Sequence, residues 1–249
     1  INITVTATGP SLTITNPKNH TYVKNTTLPL TFETSGSTTW YNLDNGNNIT
    51  ITDSISFNTS TGSHTLYLFA NNSDGETSRD VTFFINLTRF IIKYSEYNGT
   101  LRGNSTDFIN FSYEDLQNLS DPILENAEYG KIKFNATINT TNDENFSDNT
   151  LDLDTHVNIS FNRIELNSTA LTNFNTTATL SLYNLTFTNP RILRNGVVCS
   201  SSICTKESYS GGTLKFNVSS FSIYSSEETP SEGVGGVGGG GGGGGGESS

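Results

Sequence analysis

Methionine is absent from this chain of 249 residues, basic residues number only 13, cysteines two and tryptophan one. Each shortage carries a consequence. Without Met the first residue is not expected to be a translation start, which implies a processed product or an excised piece. Thirteen basic against 24 acidic residues leave a net charge of −11 with no basic stripe. Nucleic acid and anionic membrane surfaces are therefore poor partners. No apolar run of about 18 residues occurs, so no membrane span is expected in the chain. Two Cys with no His nearby cannot build a tetrahedral zinc site. Gly-x-Ser-x-Gly, His-Glu-x-x-His and the phosphate-loop pattern are all missing. His20, His64 and His156 stand apart and read as lone exposed or edge residues. No catalytic residue and no cofactor-binding residue is expected; the chain does not read as an enzyme.

What fills the space is Ser plus Thr, 67 residues, and Asn, 31. These residues compete locally for backbone hydrogen bonds and disfavour long helices. They suit strands and turns. Phe 15 and Tyr 10 still supply a core, so the expected class is all-β. Nineteen Asn-x-Ser/Thr sequons occur, none with Pro in the middle. Random placement would give about eight, so the excess points to a glycosylated, secreted surface. Expected glycan acceptors are Asn19, Asn25, Asn58, Asn71, Asn98, Asn104, Asn118, Asn139, Asn145, Asn167, Asn175 and Asn184. The remaining sequons start at Asn2, Asn48, Asn86, Asn110, Asn135, Asn158 and Asn217.

In an extracellular setting Cys199 and Cys204 read as one disulfide. A loop this short would contribute about 2 kcal/mol in the chain-entropy model and staple a hairpin tip. The acidic loop 142–149 with Asp152 and Asp154 offers clustered carboxylate and amide oxygens, which is what Ca²⁺ takes. Asp143, Glu144, Asp148 and Asp152 are the candidate ligands of a structural calcium. The spacing lacks the EF-hand start, and the same residues also read as a solvated loop.

Residues 1–8 alternate strictly, Ile1, Ile3, Val5 and Ala7 against Asn2, Thr4, Thr6 and Thr8, which predicts a half-buried strand. It is the last strand of a preceding module, a strand of this module's own sheet, or one donated to a neighbour. Gly9-Pro10 ends this 1–10 segment. Residues 11–88 predict a small sandwich with strands at 11–15, 28–34, 38–43, 47–51, 54–58, 64–70 and 78–87. The Asn45-Gly46 pair marks a hairpin, and Trp40 is placed in the core. Residues 89–226 predict a larger β-rich unit, a sandwich or else a β-solenoid. Its strands are expected at 130–138, 156–161, 163–167, 177–183, 190–194 and 213–218. Ser112 is a candidate N-cap for a helix over 113–119. Asn98-Gly99 and Asn195-Gly196 predict further tight turns. Residues 227–249 end in a glycine run that reads as a flexible linker or a stack of polyglycine strands.

Three stretches of the first unit, Ser11–Pro17, Trp40–Gly46 and Gly62–Asn71, together resemble the immunoglobulin-like modules of prokaryotic, particularly archaeal, surface proteins. The segment Asn189–Gly196 with Cys199, Cys204, Tyr209–Val218 and Phe221–Ser225 resembles the membrane-proximal module of large secreted archaeal proteins. The resemblance implies an extracellular structural protein such as an S-layer component, adhesin or filament subunit. Its partners would be other copies of itself or other cell-surface proteins, with N-glycans attached covalently. A carbohydrate- or protein-binding module is the alternative reading; such a site would show an exposed aromatic patch, and Tyr94, Tyr97 and Tyr113 are its candidates, with half-buried strand packing as their plainer reading.

Overall fold

The computed structural model describes residues 9–142 and 149–230. The residues 1–8, 143–148 and 231–249, with the N-terminal strand and the glycine run expected there, lie outside them.

The first unit is a β-sandwich. Its strands are β1 (Leu12–Asn16), β2 (Thr21–Tyr22), β3 (Leu28–Thr34), β4 (Thr38–Leu43), β5 (Ile49–Ile51), β6 (Ile55–Phe57), β7 (Gly62–Asn72) and β8 (Gly75–Ile85). One sheet runs β1-β3-β6 and the other β2-β8-β7-β4-β5. This is the immunoglobulin plan with the fourth main strand moved to the second sheet. The alternation seen in sequence explains the layering: Leu66, Leu68 and Ala70 of β7 are buried, and Thr65, Tyr67 and Phe69 point the other way. Leu12, Leu28, Leu30, Tyr41, Phe57, Phe83 and Ile85 complete the core between the sheets.

The β4–β5 hairpin forms as expected, but its left-handed residues are Asp44 and Asn45 rather than the Asn-Gly pair itself. Trp40 corrects another expectation. It sits on the outer face of the sheet, half-buried, its ring stacked on Phe69 at 5.6 Å and 4°. The period of two allows one of two neighbours inside, and Tyr41 takes that place.

The second unit packs two five-stranded antiparallel sheets. One runs in space Ile123–Asn126, Gly130–Phe134, Ala178–Leu182, Thr213–Val218 and Cys204–Ser210. The other runs Val157–Ser160, Arg163–Leu166, Ile223–Glu228, Pro190–Arg194 and Val197–Val198. Consecutive antiparallel pairing rules out the solenoid alternative, whose coils would stack in parallel. Ile132, Phe134, Ile164, Leu180, Phe216 and Tyr224 fill the core, and Phe134 meets Phe174 edge-on at 5.3 Å. The expected 130–138 strand breaks at Asn135, with a separate short strand at Thr137–Ile138. The expected strand from 156 begins instead with the helical turn Leu153–His156, capped by Asp152. The expected helix is real but short, Tyr113–Leu116, and the Ser112 side chain accepts from the Asp115 N–H. Asn195-Gly196 makes its tight turn, whereas Asn98-Gly99 follows a 3-10 turn over Ser95–Tyr97.

Cys199 and Cys204 are bonded, with Cα atoms 6.0 Å apart. The Cys199→Ser, Cys204→Ser pair should lower unfolding free energy by about 2 kcal/mol. Chemical denaturation measures this, and a loss above about 4 kcal/mol would mean that the bond holds more than a local loop.

Candidate functional site

The acceptor asparagines come first. Of the 17 sequon asparagines among the described residues, 13 are exposed, Asn25, Asn71, Asn86 and Asn217 are half-buried, and none is buried. Turns and strand ends place most of them outward, where Asn side chains cap their own loops. The Asn139 and Asn167 carboxamides accept from the backbone two residues on, at Thr141 and Thr169. A glycan attaches to the Nδ2 atom, so what that atom already binds matters. Asn135, Asn184 and Asn217 donate from Nδ2 to Thr179 Oγ1, Glu128 O and Glu207 Oε1 at 3.0, 2.8 and 2.7 Å. Asn110 donates from Nδ2 to Asp107 Oδ2 at 2.6 Å, and its sequon hydroxyl, Ser112, is fully buried. Of the expected acceptors, Asn145 lies outside the described residues.

The candidate calcium ligands divide the same way. Asp143, Glu144 and Asp148 lie outside the described residues. Asp152 is described, and both its oxygens are engaged: Oδ2 meets Lys93 Nζ at 3.0 Å and Oδ1 accepts from Thr155 N at 2.9 Å. Burial pushes its carboxyl up, but the Thr155 N–H and the Lys93 ammonium outweigh that and hold it below its usual value. Asp154 accepts from Ser95 N, Ser95 Oγ and Glu96 N. No group of three metal-ligating side chains occurs among the described residues.

A Ser, a His and an Asp do meet where the two sandwiches touch. His20 Nδ1 lies 2.8 Å from Ser112 Oγ, and that hydroxyl donates to Asp115 Oδ2 at 2.8 Å. This is a clamp and no nucleophilic triad. Ser112 is fully buried, and its oxygen is spent on capping the helix. The carboxylate also contacts the serine where a triad needs it on the far ring nitrogen. The rest of the seam is equally polar. Lys18 Nζ pairs with Asp115 Oδ1 at 2.8 Å, Thr21 N donates to Glu114 Oε2 at 2.8 Å, and Lys24 Nζ meets Asn110 Oδ1. Burial pushes the Asp115 carboxyl up, and the bonds from Lys18 and Ser112 overcome it and lower it. His64 is not an exposed edge residue: it is buried and paired with Asp44 at 2.7 Å.

The exposed aromatic patch that a binding role would need at Tyr94, Tyr97 and Tyr113 does not form, and packing accounts for all three. Tyr94 and Tyr97 are buried, donating to Asp107 Oδ1 at 2.8 Å and Val157 O at 2.9 Å. Tyr113 lies half-buried under the Arg89 guanidinium at 4.3 Å. Phenol hydroxyls that find internal partners fix these rings inside. Trp40, Tyr67, Phe69 and Phe84 face outward on the five-stranded sheet of the first unit, and the alternation along β4, β7 and β8 was the signal for them.

No protein-family model matches the chain, and no curated protein sequence matches it. Among solved structures, the C-terminal domain of the nuclear pore complex component NUP116 from Candida glabrata is 20% identical, with a TM-score of 0.33. That match covers 47% of this chain and 87% of that one. Dpr2 Ig1-Ig2 in complex with DIP-Theta Ig1-Ig3 is 10% identical, with a TM-score of 0.20, over 86% of this chain and 55% of that one. The N-terminal eight Ig domains of Down Syndrome Cell Adhesion Molecule give 10% identity and a TM-score of 0.23, over 85% and 33%. Similarity this slight carries no argument about what the chain does. No helix among the described residues is long and apolar enough to cross a membrane.

Proposed function

We propose that this chain is a non-catalytic structural segment of a cell-surface protein, with N-glycans on its exposed asparagines. The observation that carries the reading is that every described sequon asparagine reaches solvent on a body of two sandwiches. A glycan is bulky and confined to exposed positions, and here none would have to enter the core. The Cys199–Cys204 bond fits an oxidising compartment. Its partners are further copies of itself or other surface proteins, and its role is mechanical. Strand ladders resist shear, and the polar seam holds one sandwich against the next. Labelling intact native cells with a membrane-impermeant amine reagent tests the location. Lysines such as Lys133 and Lys215, exposed on the second unit, should be modified. Labelling only after lysis would overturn the reading.

A binding role keeps one observation in its favour, the Trp40–Phe69 stack on an open sheet face. Trp40 is the only tryptophan, so its fluorescence reports ligands there directly. Saturable quenching by an oligosaccharide that Phe69→Ala abolishes would establish it, and an unchanged spectrum would remove it.

A further inference from the structure

The seam contains a buried lysine with no carboxylate within ion-pair distance among the described residues. Lys24 is 7% exposed, on the loop after β2. Its Nζ meets Asn110 Oδ1, with Thr27 Oγ1 at 3.4 Å as its other neighbour. Asn110 ends the 3-10 turn Phe108–Asn110 of the second unit. Its Nδ2 donates to Asp107 Oδ2 at 2.6 Å, and Asp107 Oδ1 accepts from the Tyr94 hydroxyl at 2.8 Å. Amine, carboxamide, carboxyl and phenol therefore follow one another in a line. Beside them lies an apolar cavity of about 190 Å³ whose walls include Val23, Phe90, Tyr94 and Ile109.

We propose that Lys24 and Asn110 join in an intramolecular isopeptide bond, catalysed by Asp107, that ties the first sandwich covalently to the second. A buried ammonium facing only neutral acceptors is costly, and amide formation removes that charge. Burial pushes the Lys24 amine below its ordinary value, against the opposing pull of Asp107. The neutral amine is the nucleophile. Asn110 stands between the two charges, so the proton is relayed: Oδ1 takes the ammonium proton of Lys24 while Nδ2 gives one to the Asp107 carboxylate. Nζ attacks Asn110 Cγ and the Nζ–Cγ bond forms. One amine proton is transferred by way of Asp107 to Nδ2, the Cγ–Nδ2 bond breaks and ammonia leaves. The departing ammonia carries off the remaining proton as ammonium, so an alkylammonium and a carboxamide become a secondary amide and ammonium, with no redox change and the Asp107 carboxylate restored. Asn110 is exposed, which gives ammonia an exit. Tyr94 fixes the carboxyl by its other oxygen. The bond also accounts for a sequon built with a buried hydroxyl, because Asn110 is then consumed and takes no glycan.

This proposal does not rest on the glycoprotein reading, and a host that adds no N-glycans serves as the source. Intact mass, read for every chain after the disulfide is reduced, should lie about 17 Da below the sequence mass, one ammonia lost. Trypsin should release a branched pair made of residues 19–79 and 103–131, since linked Lys24 is not cut. Lys24→Ala and Asn110→Ala should restore the full sequence mass. Asp107→Asn should restore it too, with the circular dichroism of the parent chain. A folded wild-type chain at its full sequence mass overturns the proposal. So does a loss of about 17 Da that persists in Lys24→Ala, which would be succinimide at an Asn-Gly pair.

Discussion

Replacing Glu125 by Ala is expected to lower the free energy of unfolding by about 3–5 kcal/mol, because it breaks a buried ion pair by removing one partner. Glu125 is buried on an edge strand of the second unit. Oε1 takes Lys131 Nζ at 3.1 Å and the Tyr183 hydroxyl at 2.7 Å, and Oε2 accepts from Asn104 N at 2.6 Å. The loss strands all three donors. At about 2–4 °C per kcal/mol for a chain of this size, Tm should fall by about 10 °C. Burial pushes the Glu125 carboxyl up, and the bonds from Asn104, Tyr183 and Lys131 outweigh it and set it below the usual value. A carboxyl lowered in the fold stabilises it above the unfolded value of about 4.3, and that share is lost as pH falls through the folded value. Urea titrations at pH 7 and pH 3 check both statements. A loss under about 1 kcal/mol at pH 7 would show the site to be solvated in solution.

The second large effect follows from the proposed bond. Lys24 and Asn110 are 86 residues apart, so linking them closes a long loop of the unfolded chain. The chain-entropy model puts this near 4–5 kcal/mol. Asp107→Asn, which leaves the fold but not the link, should melt about 10 °C lower. Pulling gives a sharper readout. With the link present, the chain between the two anchors, 86 positions apart, stays out of the stretched path. At about 3.5 Å per residue, the contour length gained on full unfolding should be shorter by about 300 Å than in Asp107→Asn. Equal contour lengths would mean that no such bond bears load.

The first sandwich was open to reading from its alternation. All seven strands expected from Ser11 to Leu87 are present, because one buried face per sheet writes itself as a period of two. Trp40 was misread since the same period fits either face, and only a neighbour such as Phe69 decides which. In the second unit, Ile123–Asn126 was missed because Leu124 and Glu125 are both buried and break the alternation. Cys204–Ser210 was missed because an edge strand carries mostly polar side chains. Tyr94 and Tyr97 looked like surface aromatics, and only their hydroxyl partners, Asp107 and Val157, place them inside. The seam was beyond reach altogether. Lys18 meets Asp115 across 97 residues and Lys24 meets Asn110 across 86, and no local pattern signals pairs so far apart. The sequons were the reverse case, since their motif is local and turn-prone residues carry them outward.

Glycopeptide mapping of the chain taken from its native cells tests the central claim most directly. Sugar is expected at exposed asparagines whose Nδ2 has no partner among the described residues, Asn19, Asn58, Asn104, Asn118 and Asn175 among them. Asn110 should carry none. Unmodified peptides at all of these positions would contradict the account.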